Sequence, residues 1–394
     1  MPVPAVIALD GVARNYAWGS RTAIPRLLGV EPDGRPVAEL WFGAHADDPS
    51  HVPDHGKNLD ELISADPEAL LGGAVVQRFG AQLPFLIKVL AAETALSIQV
   101  HPDRAQAAAG FAAEDARGVP RDAPERNYRD TNHKPELLCA LTPFEALCGF
   151  RPVAETLRLL DALDVPELGQ VRDLLAGPEG LRAAFTQLLT LTDPAALASA
   201  VADRVASVPP GSVWAGPAHA AATAAADFPG DVGVVLALLL NYVRLAPGEA
   251  IYLGAGNVHA YLRGTGIEIM ANSDNVLRCG LTPKHIDVGE LLKITDFTPL
   301  TEPRRAAEPT GCGRSFGTSV ADFALSLLDL DSHGSCSVGG TGPYVVLCTS
   351  GNVRVEALGA VVDLAAGRAA FVRARDAAFT VRGSGRVFAA TVGV

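Results

Sequence analysis

Short apolar runs broken by glycine and proline fill the first 150 residues, at 38–42 and 85–90 among others. Runs of that length between breakers predict strands. Beyond Pro152 the pattern changes. Thr156, Leu159, Leu160 and Leu163 fall at helical spacing, as do Val171, Leu174 and Leu175, and alanine-rich stretches follow at 195–206 and 218–226. Pro166, Gly177, Pro178, Pro194, Pro209 and Pro210 punctuate this region where helices end. Residues 152–228 are therefore expected to form a block of several short helices.

From Pro229 the strand texture returns, at 243–245, 250–253, 258–262, 267–270 and 276–278. It continues at 323–328, 344–348, 353–357, 369–372, 378–381 and 387–392. Many short strands spaced about 8–12 residues apart predict a sandwich, jelly roll or barrel. The expected layout is mainly β. Residues 1–151 and 229–302 form a first β unit, 152–228 a helical insertion, and 303–394 a second β unit. The charged, Pro- and Gly-rich stretch 303–313 reads as the linker.

Composition narrows the partners. With 394 residues, 48% hydrophobic and 19% charged, the chain can bury a full core. A net charge of −12 argues against nucleic acid and anionic membranes, which demand basic patches. The longest apolar run, 232–240, is far short of the roughly 20 residues that cross a bilayer. The opening MPVPAVIALDG lacks the basic and apolar regions of a signal peptide. Cys139, Cys148, Cys279, Cys312, Cys336 and Cys348 form no CxxC pair. They are expected to be free, mostly buried thiols in a reducing cytosol, with one adventitious disulfide as the alternative.

Four segments carry candidate chemistry. In LSIQVHPD (96–103), strand alternation puts Ser97, Gln99 and His101 on one face and Ile98 and Val100 on the other. That face suits a lined pocket or an ordinary solvated strand. In YRDTNHKPE (128–136), Glu136 opens an apolar strand and needs a cation, a metal or donors there, unless it is a capping carboxylate. In YLGAGNVHAYLRG (252–264), His259 and Tyr261 share a strand face; a lone histidine there also fits as a satisfied core residue. In the stretch 266–287, Glu268 sits between two isoleucines and a polar loop, 272–275, precedes Arg278. That loop reads equally as a solvated hairpin turn.

Gln99, His101, Glu136 and His259 together offer two nitrogen and two oxygen donors and no thiolate. Such a set suits an open, catalytic mononuclear metal site rather than a closed structural one. Only five of the 32 basic residues are lysines, and Lys88, Lys134 and Lys284 each lie in or beside these segments. An ammonium is a point charge suited to phosphate, so a small anionic, phosphorylated substrate is expected.

YAWGS (16–20), AELWFGAH (38–45), LPFLIKVLAA (83–92), LSIQVHPD, NHKPE (132–136), PGD (229–231), GNVHAYLRG and MANSDNVLRCGLTPKHID resemble the type I mannose-6-phosphate isomerases of the cupin superfamily. The likeness is dense over the first 300 residues and weaker through DFALSLLDL (322–330). It implies cupin-type jelly rolls around a helical insertion. It also implies a Zn²⁺-dependent aldose–ketose isomerase that interconverts mannose 6-phosphate and fructose 6-phosphate through a cis-enediol, linking glycolysis to mannose and GDP-mannose metabolism.

By the same resemblance one zinc falls on Gln99, His101, Glu136 and His259, and the essential arginine on Arg278. Phosphate and sugar contacts fall on Ser97, Lys88, Lys134, Tyr261 and Lys284. Glu268 and Asp274, with Lys134 behind them, are the candidates for the proton-transfer base. One departure is Gly254-Ala-Gly256, where the family usually reads Pro-Ala-Gly. A non-haem iron oxygenase and a non-enzymatic sugar-binding cupin stay open as alternatives. His333 and Cys336 in SHGSC are read as an exposed loop rather than a ligand pair, and the second β unit as structural. The sequence leaves the oligomeric state open, a monomer being compatible with it.

Overall fold

Alternation along the strand Glu136–Ala140 shows how the fold is built. Leu137 and Cys139 enter an apolar cluster with Ile87, Val89, Ile267 and Ile269, while Leu138 and Ala140 turn to a second cluster on the opposite face. Glu136 shares that opposite face by period-2 geometry. The computed structural model describes residues 3–340, 342–374 and 378–393. In it the strands Ala250–Leu253, Glu136–Ala140, His259–Ala271, Phe85–Ala92 and Glu39–Gly43 lie side by side, all antiparallel. They form the centre of an 11-stranded sheet.

An eight-stranded antiparallel sheet covers one face of the first. Phe42, Ile87, Val89, Ile267 and Ile269 pack there against Phe316, Phe323, Leu325, Leu347, Phe371 and Phe388. The two sheets thus share one core, as in a β-sandwich. The strand Val6–Leu9 pairs with Ala369–Val372 and so belongs to the second sheet, although it lies within the span expected for the first unit. Residues 303–313 are no free linker: Arg304–Arg305 pairs with Ala250–Ile251, and Glu308–Thr310 pairs with Gly313–Phe316.

The helices Val153–Leu163, Gly169–Ala176, Gly180–Leu189, Ala195–Val205 and Ala215–Asp227 fill the stretch expected to be helical. Their apolar faces bury Leu159, Leu160, Val171, Leu175, Phe185 and Val201 against Ile98, Val100, Leu147 and Phe150. The fold is therefore strand-rich, with a helical block and two large sheets, as expected for the cupin class.

Three differences from the sequence expectation have physical causes. First, segments read as separate strands are single bent ones: His259–Ala271, Tyr344–Ala357 and Phe379–Thr391. Glycines sit at the bends. Gly264 has φ of 120°, and a side chain on it would come within 2.7 Å of the Pro143 carbonyl. Only glycine permits this close backbone approach, and the bend lets one strand serve two sets of neighbours.

Second, Cys312 and Cys336 are joined in a disulfide with Cα atoms 5.7 Å apart, while Cys139, Cys148, Cys279 and Cys348 are buried and free. A separation of 24 residues hid the pairing. Third, SHGSC lies within the strand Ala324–Val338 rather than in a loop; the His333 side chain is outside the described residues. Among the described residues no helix is long and apolar enough to cross a membrane.

The helix Arg104–Ala116 starts from a capping box between Asp103 and Gln106, and its Gly110 faces the buried Tyr128 ring. An exposed Gly→Ala change in a helix stabilises by about 1 kcal/mol. Here a methyl would overlap that ring, so Gly110→Ala is expected to destabilise by about 1–3 kcal/mol. Urea unfolding checks the sign, and a raised midpoint contradicts the packing described.

Candidate metal centre

Three strands and one turn bring the ligand candidates together. His259 pairs with Gln99 across the ladder to Ile98–Val100, and Glu136 pairs with Met270 on the neighbouring strand. His101 follows directly after Val100. Its carbonyl accepts from Gly256 N at 2.9 Å, which ties the Gly254–Gly256 turn to it. Gly256 has φ of 76°, the left-handed region that glycine favours. A side chain on Gly254 would meet only Tyr252, at 3.5 Å, so the position has room for the proline that the resemblance leads one to expect.

The donors converge. His101, Glu136 and His259 are all buried, with their ligand atoms within 4.8 Å of one another. His101 Nε2 stands 3.4 Å from Glu136 Oε1, and His259 Nε2 stands 3.3 Å from Oε2. Each imidazole uses its other nitrogen on a backbone carbonyl: His101 Nδ1 donates to Asn275 O at 2.7 Å, and His259 Nδ1 to Asn257 O at 2.9 Å. This fixes both rings with the Nε2 lone pair aimed inward. His101 Nε2 and Glu136 Oε2 have no hydrogen-bond partner among the described residues. Buried polar atoms are rarely left this way, so orphaned donors facing one another fit a cation held between them. Gln99 Nε2 lies 3.3 Å from His259 Nε2, and turning its amide would present the oxygen instead.

Burial and charge tune the set. Burial pushes the His101 imidazole down to about 4, against the pull of Glu136. Burial also works to raise the Glu136 pKa, but His101 and Lys134 outweigh it and hold the carboxyl well below its ordinary range. Lys134 Nζ is 3.4 Å from Glu136 Oε1. The set therefore presents a neutral imidazole and a carboxylate, the forms that bind metal.

A second cluster adjoins the first. Lys88 sits opposite Trp41 and Glu268 in the sheet. Its Nζ donates to Glu268 Oε2 at 2.6 Å and to Glu39 Oε1 at 3.0 Å. Tyr261 OH donates to Glu268 Oε1 at 2.5 Å, and Trp41 Nε1 to Glu39 Oε2 at 2.8 Å. Burial of the ammonium is overcome by the two carboxylates, which raise the Lys88 pKa, whereas burial raises that of Glu268. Lys88, expected at the substrate, has both carboxylates already bound to it.

The remaining candidates lie apart from that network. Asp274 is 41% exposed, and its Oδ1 is 3.8 Å from His45 Nε2. Arg278 pairs with Gln99 in the ladder. Its pKa is lowered by burial and by Arg129, and that of exposed Lys284 by Arg278 first, then by burial and Arg129. Ser97 is half-buried at the start of the strand Ile98–Val100.

Sequence reasoning missed Asn275, whose buried amide organises the centre. Its Oδ1 accepts from Arg129 N at 2.7 Å and Asp130 N at 3.2 Å, and its Nδ2 donates to Asn132 O at 2.8 Å. The polar loop 272–275 was the available signal, but it looked like a solvated turn. Glu39 was equally visible only as an acidic residue in an apolar run.

Residues 6–153 match the family model described as the phosphomannose isomerase type I catalytic domain. A mannose-6-phosphate isomerase of Escherichia coli K12 is 40% identical over 386 residues, covering 95% of this chain and 96% of the relative. The chain belongs to the type I mannose-6-phosphate isomerase family. An Aspergillus fumigatus mannose-6-phosphate isomerase is 33% identical over 89% of the chain and 87% of its own length. The crystal structure of a Salmonella typhimurium mannose 6-phosphate isomerase bound to fructose 6-phosphate and zinc matches with a TM-score of 0.91 and 38% identity. It covers 99% of this chain and 100% of that one. Family membership thus extends through the second sheet, beyond the stretch where the sequence likeness is dense.

Two expectations follow. Lys88→Met leaves Glu39 and Glu268 buried without their cation, which should destabilise by about 3–5 kcal/mol at neutral pH. The loss should shrink at pH 5, where Glu268, its pKa raised by burial, takes up a proton; a pH-independent change in urea midpoint contradicts this. In metal-free protein, His101 stays neutral down to about pH 4, while in the unfolded chain it titrates near 6.5. The unfolded state binds more protons in that window, so acid favours unfolding. Stability of the metal-free protein should fall progressively from pH 6.5 to 4; a flat denaturation midpoint there contradicts the assignment.

Proposed function

We propose that this chain is an aldose–ketose isomerase that interconverts mannose 6-phosphate and fructose 6-phosphate, with one zinc per chain. The observation that carries the reading is the buried trio His101, Glu136 and His259, in which His101 Nε2 and Glu136 Oε2 lack hydrogen-bond partners among the described residues. Gln99, His101, Glu136 and His259 would hold the ion. When bound, the zinc supplies Lewis-acid stabilisation of the negative charge that develops on the sugar oxygens.

The protein's own residues do the rest. Isomerisation removes the C2 proton and returns one to C1 by way of a cis-enediol. Lys134, beside Glu136, and Arg278 are assigned to the charge on O1 and O2. For the proton transfer Asp274 is favoured over Glu268. The Glu268 oxygens are already occupied by Tyr261 and Lys88, whereas Asp274 is half open with no lysine or arginine on it. Lys284, with Arg278 beside it, is assigned to the phosphate. Both cations lack a carboxylate partner among the described residues, which leaves them available to an anion. Ser97 and Tyr261 are placed along the sugar.

We also propose 1–151 with 229–302 as the catalytic unit, apart from its first strand, 152–228 as the helical insertion, and 303–394 as the second β unit. A cytoplasmic location is supported by four free buried thiols, and the Cys312–Cys336 disulfide is the one feature that fits an oxidising compartment instead.

A coupled assay for fructose 6-phosphate formation, run with and without chelator and alongside metal analysis, tests the reading. Activity that is lost with the metal and restored by zinc is expected. Full activity in verified metal-free protein contradicts it; iron in place of zinc favours an oxygenase, and binding without turnover a sugar-binding cupin. Arg278→Ala should lower turnover about 10²–10³-fold while leaving the unfolding midpoint nearly unchanged. Near-normal turnover in that variant overturns its assignment.

A further inference from the structure

The second sheet sends one buried carboxylate into the metal-bearing half of the molecule. Asp322 lies just before the strand Ala324–Val338, and its side chain is 5% exposed. Hydrogen bonds close the turn that carries it. Thr318 Oγ1 donates to the carbonyls of Val320, at 3.3 Å, and Phe323, at 2.9 Å, and Gly393 N donates to that of Ala321. Phe323 is fully buried in the shared core.

Both partners of Asp322 belong to ligand-bearing segments. His133 Nε2 donates to Asp322 Oδ2 at 3.1 Å, and Arg104 Nη2 donates to Oδ1 at 3.0 Å. Arg104 Nη2 also lies 2.9 Å from His133 Nε2. Arg104 stands three residues after His101, and His133 three residues before Glu136. Arg104 opens the helix that leaves QVHPD; His133 directly precedes Lys134. Upstream of His133, the loop is already held by Asn275 and Ser273, which donate to Asn132 O at 2.8 and 3.2 Å. Downstream, the strand ladder begins at Glu136. His133 and Lys134 are the part of the loop between these two anchors, and Asp322 holds it.

We propose that Asp322 is a positioning residue of the isomerase site: through His133 and Arg104 it fixes the segments that present Lys134, Glu136 and His101. The second β unit then contributes to catalysis and is more than a structural cover. This rests on the isomerase reading above, and wild-type activity tests that reading separately. Residues that orient metal ligands from outside the coordinating set typically change affinity or activity by about 10–100-fold.

The test compares zinc-loaded wild type, Asp322→Ala, His133→Ala and the double variant. The readouts are kcat and KM per folded, zinc-containing chain, together with hydrogen–deuterium exchange of the peptide spanning 130–136. Asp322→Ala is expected to lower kcat about 10–100-fold, leave KM within three-fold, and speed exchange at 131–134 while the Phe85–Ala92 strand stays protected. The double variant should lose little more than the worse single one, because both act through one contact. Additive losses overturn the proposal, as does a kcat per folded chain within two-fold of wild type with unchanged exchange. Should Asp322→Ala not fold, Asp322→Asn keeps the volume and one acceptor. A three- to ten-fold loss in kcat is then expected, and a kcat within two-fold of wild type overturns the assignment.

Discussion

Glu136 sets the terms for the rest of the molecule. Its carboxylate is almost wholly removed from water and faces two imidazoles whose other nitrogens are already bound to backbone carbonyls. Nothing among the described residues completes the arrangement, because Glu136 Oε2 and His101 Nε2 remain without hydrogen bonds there. Burying a charge in this way is costly unless it is paired or bound to a metal. Lys134 at 3.4 Å offsets part of that cost and leaves the carboxylate ionised. The two-sheet sandwich exists around this point. One face of the ligand-bearing strands is spent on the shared core, and the other carries Glu136, Glu268 and Lys88.

That division explains what was legible in the sequence. Alternation in LSIQVHPD puts Ile98 and Val100 into the core beneath the helices and leaves Gln99 for the ladder opposite His259. Period and breakers were enough for the strand Ala250–Leu253 and for the helical block. They failed where glycine bends a strand without ending it, since Gly264, Gly351 and Gly383 look like turns in one dimension. They failed also across distance. No local pattern joins Cys312 to Cys336, places Val6–Leu9 in the second sheet, or reveals that Asn275 holds the backbone of Arg129, Asp130 and Asn132 together. The candidate ligands could be named from residue type and from the family resemblance; bringing them together needed the fold.

Charge shows the same split between average and site. A chain of net charge −12 keeps Arg278 and Lys284 without carboxylate partners among the described residues; Arg278, burial and Arg129 lower the Lys284 pKa, and burial and Arg129 lower that of Arg278. It places Lys88, by contrast, between two carboxylates, where its charge is used up inside the protein. Two lysines with equal standing in the sequence thus have different work, and only their partners tell them apart.

The central claim is that the His101–Glu136–His259 pocket is where the metal sits. A second, more exposed group, His45, Asp47 and Asp274, also brings its donor atoms within 4.8 Å. Anomalous diffraction at the zinc edge, from crystals of zinc-loaded protein, separates the two. The account predicts one peak per chain, bounded by the Nε2 atoms of His101 and His259 and the Glu136 carboxylate. A peak only at the His45 group, or none in protein that turns over substrate, would contradict it.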